Sequence, residues 1–163
     1  MGAAPWGPCT LREVSALAKT VRASAAIAAP AAVIFACLAD YKQADVFIEG
    51  LEQLTPNGSR TVGQGARFDA VLKVATRTLR TTIEIAALEP DRLITWSSAG
   101  DDGQRLTFRL SAGQGETIVE LTVDYEEPGG VAGALMAPFI AQVVQHRSET
   151  ALARLREQVS EPS

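Results

Sequence analysis

His146 is the one histidine of the sequence and the natural candidate for a general base near neutral pH. A hydrolytic triad would have to use it, yet no nucleophile-elbow motif accompanies it. It falls about a turn beyond Val143 in a helical pattern, slightly off the apolar stripe. That position suits a solvated or partly buried helix histidine better than a catalyst. Hydroxyls at Thr81, Thr95, Ser97 and Tyr125 have the chemistry to meet a carbonyl or hydroxyl of a ligand, or to serve as ordinary strand-rim groups. Glu84, Glu120, Asp124 and Glu126 alternate onto polar strand faces and do not read as an acid–base pair. Gly63-x-Gly65 is a turn with no helix behind it, so it lacks the context of a phosphate loop. Cys9 and Cys37, far apart and without a CxxC spacing, give neither a disulfide framework nor a zinc site. No catalytic residue is assigned, and neither a metal nor an organic cofactor is implied.

The elements that must position these residues are legible from periodicity. Val21, Ala23, Ala25 and Ile27 alternate with polar or small residues as a first strand. Pro30 sits where a first-turn proline belongs, ahead of a short apolar helix through Leu38. Asp40-Tyr41 ends it, "KQADVFI" reads as a second short helix, and Gly50 stops that one. From Leu51 the period is two. "LEQLTP", "GARFDAVLKVA", "TLRTTIEIAAL", "DRLITWSS", "QRLTFRLSA" and "ETIVELTVDYEE" follow one another with short turns, the pattern of an antiparallel meander. Val131 to Val159 has helical periodicity, and Pro138 should kink it. Arg67, Arg80 and Arg109 fall on the polar strand faces and read as a solvated surface.

The 163 residues are enough for one domain. A net charge of −4 and a pI near 5.0, with no basic cluster, argue against nucleic-acid partners and anionic membrane surfaces. No apolar run reaches the roughly 18 residues of a membrane span, and the N-terminus lacks a signal-peptide pattern, so a cytoplasmic location without integral membrane association is expected. Residues 1–16, rich in Gly, Pro and Ala, read as a flexible extension, and 17–160 as a single domain. The oligomeric state is not legible.

Strand, two short helices, a run of strands and one long C-terminal helix is the α+β helix-grip order. Within it, Ala29-Pro30, Phe35, Leu38-Ala39-Asp40, and Phe47 with Gly50 resemble the opening motif of the polyketide cyclase/dehydrase and lipid-transport group. That group lies in the START-like, birch-pollen-allergen-like superfamily (SRPBCC). "VGQGARF" and "EPGGVAGALMAPF" resemble its later parts. The resemblance implies a curved antiparallel sheet wrapped around the long helix, with a hydrophobic ligand (lipid, polyketide or isoprenoid-like) held between them. The face assignment makes Phe68, Leu72, Thr81, Ile83, Thr95, Phe108, Leu121, Met136, Phe139, Ile140 and Val143 the lining. Inward alanines at 23, 25, 66 and 70 favour a real space there. On this reading Phe139→Ala should weaken binding more than folding. Two alternatives stay open: a polyketide cyclase or dehydratase, and an interaction or regulatory module on the same fold.

Overall fold

The computed structural model describes residues 18–74, 76–99, 104–126 and 130–160. The expected extension at 1–16 and Cys9 lie outside them. Strand β1 (Ala18–Ile27) leads to helix α1 (Ala31–Ala39) and a 3-10 helix (Tyr41–Val46). Strands β2 (Leu51–Pro56), β3 (Arg67–Val74), β4 (Arg77–Glu89), β5 (Leu93–Ala99), β6 (Arg105–Ala112) and β7 (Thr117–Glu126) follow, then helix α2 (Gly130–Ser160). All seven strands form one antiparallel sheet in the order β1-β7-β6-β5-β4-β3-β2. The first strand therefore pairs with the last, and β1 and β2 are the edges. This is the helix-grip architecture.

The local chemistry explains the corner that closes the sheet. Pro30, at φ −65 and ψ 148, stands just before α1 and cannot donate into it. Asp40 then ends one helix and starts the next. Its carboxylate accepts from the Lys42 backbone N–H at 3.0 Å and from Gln43 Nε2 at 3.1 Å, capping the 3-10 helix. The second short helix expected from the sequence is thus a 3-10 turn.

The pleat sorts the strands as period two demands. Phe68, Ala70, Ile83, Ile85, Ile94, Trp96, Phe108, Leu110, Val119, Leu121 and Val123 are buried on the concave face. The convex face carries charge and hydroxyls. Arg67 pairs with its cross-strand neighbour Glu84 at 3.7 Å, and the Thr20 hydroxyl donates to Asp124 at 2.7 Å. Helix α2 lies against β1, where Gln145 Nε2 donates to the Arg22 carbonyl at 3.3 Å and Arg156 to the Ala26 carbonyl at 3.1 Å. Ala23 and Ala25 face that helix, so their small side chains let it settle close to the sheet instead of leaving a space.

Cys37 of α1 is buried among these groups, and burial first, then the carboxylates of Asp40 and Asp45, push its thiol up to about 11 from 9.0. The unfolded chain releases this proton first. The neutral thiol's contribution is therefore intact below pH 9.0 and lost as the pH climbs toward about 11. The urea midpoint of the wild type should fall more steeply across that window than that of Cys37→Ala. Parallel curves would show that the thiol does not titrate differently in the two states.

Candidate functional site

A cavity of about 110 Å3 lies between the sheet, α2 and the turn after the 3-10 helix. Leu72, Leu106, Leu121 and Val123 make its floor. Val144, Ser148 and Ala151 of α2 cover it, and Phe47 and Ile48 close one side. Polar groups gather around the apolar floor: Tyr125, Gln104, Glu49 and Arg147. Tyr125 is buried, whereas Glu49 and Gln104 are exposed and mark the mouth. Arg147 Nε stands 3.8 Å from Glu49 Oε1, joining α2 to the turn across that mouth. The Ser148 hydroxyl donates to the Val144 carbonyl one helical turn back at 2.8 Å.

The far end of the concave space is filled with rings. Phe47 meets Phe108 edge-on at 5.3 Å between centroids and lies 6.1 Å from Trp96. Phe68 lies between Trp96 at 5.8 Å and Tyr41 at 4.9 Å. Trp96 Nε1 donates to the Leu38 carbonyl at 3.0 Å, which fastens α1 to the middle of the sheet.

Of the lining expected from sequence, Leu72 and Leu121 border the cavity. Phe68 and Phe108 face the right side but belong to the aromatic cluster, and Ile83 is packed into the core. Ile140 packs against that core, and Thr81 lies half-buried on the concave face outside the cavity. The side chain of Met136 lies outside the described residues. Three expectations need correcting. Thr95 is on the convex face, where its hydroxyl shares a hydrogen bond of 3.1 Å with Thr107, because Trp96 takes the inward position of β5. Phe139 and Val143 are 59% and 40% exposed, because the stripe that faces the sheet runs through Ile140, Val144, Ser148, Ala151 and Leu155. Phe139→Ala therefore has no reason to act on this cavity. His146 is exposed on α2, as its off-stripe position implied. Ala66 and Ala70 are buried, and neither borders the cavity.

Sequence reasoning missed most of this lining, including Leu106, Val123, Val144 and Ser148, and it missed both members of the charged pair, Glu49 and Arg147. Arg147 carried a usable signal, a cation directly beside Val144 and Ser148 in the helical register. Glu49 carried none, since its position follows from how the turn folds against α2. Among the described residues no cluster of three or more His, Cys, Asp or Glu side chains could hold a metal ion. No helix among them is long and apolar enough to cross a membrane.

Sheet, short helices and long covering helix place the protein in the START-like, SRPBCC class, a fold that binds hydrophobic ligands and includes polyketide cyclases. The chain belongs to the family described as polyketide cyclase / dehydrase and lipid transport, whose model matches residues 18–160. Among solved structures it is similar to TTHA0849 from Thermus thermophilus, with 22% identity, a TM-score of 0.73, and coverage of 86% of this chain and 97% of that one. It is likewise similar to the Zhui aromatase/cyclase from Streptomyces sp. R1128, at 19% identity and TM-score 0.71, covering 88% and 94% of the two chains. Against the di-domain aromatase/cyclase StfQ of the steffimycin biosynthetic pathway it has 13% identity and TM-score 0.74, with 91% of this chain matching 53% of that one. No curated protein matches the sequence.

Proposed function

We propose that the protein holds a hydrophobic small molecule, of lipid, polyketide or isoprenoid type, in the cavity between the sheet and α2. The observation that carries this reading is the cavity's division into an apolar floor of Leu72, Leu106, Leu121 and Val123 and a polar mouth. Such a site takes the body of a ligand by area burial and orients it with few polar contacts. Its volume of about 110 Å3 is less than the roughly 150 Å3 that accommodates benzene in a dry engineered cavity. As it stands it takes only a short segment of a chain, and a longer or broader ligand needs α2 or the Glu49 side chain to move outward.

Titration with Nile red, a neutral hydrophobic dye, tests the assignment. Val144→Trp fills the cavity from a half-buried helix position and should weaken binding tenfold or more while thermal unfolding stays close to wild type. Phe139→Ala, on the exposed helix face, should bind like wild type. Unimpaired binding by a folded Val144→Trp variant would remove the cavity from consideration.

A second reading, a cyclase or dehydratase acting on a poly-carbonyl chain, is favoured by the grouping of Tyr125, Arg147 and Glu49 around one cavity. It differs from the first by product formation in place of retention.

A further inference from the structure

We propose that the ligand of this cavity is an amphipathic carboxylate, its apolar chain over Leu72, Leu121 and Val123 and its carboxylate on the Arg147 guanidinium in place of Glu49. The proposal rests on the hydrophobic-ligand reading above and narrows it to a charge type. Arg147 and Glu49 are the oppositely charged side chains that border the cavity, and they meet in a single Nε–Oε1 approach of 3.8 Å. That contact falls short of the bidentate fork a guanidinium makes with a well-placed carboxylate. Both side chains are also part-exposed, 38% for Arg147 and 44% for Glu49, where such a pair contributes little. The pair is consequently easy to exchange.

The two members are not equivalent in what they offer a ligand. Arg147 stands on a helix turn whose neighbours Val144 and Ser148 already line the cavity, so its backbone is fixed. Glu49 is the more exposed member, so its side chain can turn out into solvent from a backbone tied by the Lys73 N–H to the Gly50 carbonyl. A guanidinium is weakly hydrated and tolerates an apolar boundary, and its planar fork matches a carboxylate. A carboxylate left at the same boundary when a ligand closes the mouth loses hydration without that compensation. Exchange of one carboxylate for another keeps Arg147 paired. A cationic ligand would pair with Glu49 and leave Arg147 beside the apolar chain.

Calorimetric titration of the full chain with decanoate, decan-1-ol and decylamine at pH 8 and low salt tests this. The readout is the ratio of the Kd for decan-1-ol to that for decanoate, so that any general change in the cavity cancels. Arg147→Gln should lower the ratio about tenfold, and Glu49→Gln should raise it severalfold by removing the competing carboxylate. Equal ratios in wild type and Arg147→Gln would overturn the proposal while leaving the hydrophobic site standing. Tightest binding of decylamine would overturn it in favour of a cation held by Glu49. Binding of none of the three probes would overturn both this proposal and the reading on which it rests.

Discussion

Trp96→Ala should destabilise the fold by about 4 kcal/mol, read as a drop in the urea midpoint with little change in slope. The side chain is only 2% exposed, and its ring packs between Phe47 and Phe68. Truncation removes that apolar surface and the ring contacts together, and the surrounding strands are too well tied to collapse into the gap. It also takes away the indole donor of the Leu38 carbonyl, the hydrogen bond of 3.0 Å that holds the end of α1 to β5. Trp96→Phe separates the two contributions. It keeps an aromatic ring but leaves a buried carbonyl without that donor, for an expected loss of about 1–3 kcal/mol. A loss under about 1 kcal/mol for Trp96→Ala would mean that the aromatic cluster does not join α1 to the sheet as described.

The same residue shows why the fold was legible in the sequence and the site only partly so. Strands with one wet and one dry face declare themselves by alternation, and the six segments read from Leu51 onward correspond to β2 through β7. Alternation gives the two faces of a strand but not which face is inward, and "LITWSS" supports either choice. Leu93, Thr95 and Ser97 fall on one side, Ile94, Trp96 and Ser98 on the other. Burial of the large indole decides it, and Thr95 then finds Thr107 across the convex ladder. Helix phase had the same ambiguity. Apolar residues at 135, 136, 139, 140 and 143 spread over more than one face, and only packing against the core selects Ile140 and Val144 over Phe139 and Val143. The Glu49–Arg147 pair joins residues nearly a hundred positions apart, and no local pattern encodes such a meeting. What the alanines encoded was also conditional on the third dimension. Small inward side chains allow either a void or a close helix, and on β1 they allow the helix.

Gly50→Ala should lower stability by about 3 kcal/mol, and the residue's setting says how that figure divides. Gly50 has φ +86, a conformation that places an L-residue's Cβ too close to the following carbonyl and costs roughly 1–2 kcal/mol. A Cβ here would also press on the backbone carbonyl oxygen of Lys73, inside van der Waals contact. That backbone cannot retreat freely, because the Lys73 N–H donates to the Gly50 carbonyl at 2.7 Å and β3 is paired on both sides. Gly63 supplies the control within the same chain. It has the same φ of +86, and a Cβ added to it meets nothing within 4 Å. Gly63→Ala should therefore show the conformational part alone, about 1–2 kcal/mol, and the excess at Gly50 measures the collision with β3. Equal losses at the two glycines, by urea unfolding, would show that the turn moves aside and that Lys73 does not fix it. An excess would show that β3 fixes the position of the turn that carries Phe47, Ile48 and Glu49. The cavity wall made by Phe47 and Ile48 would then rest on a backbone position that does not itself border the cavity.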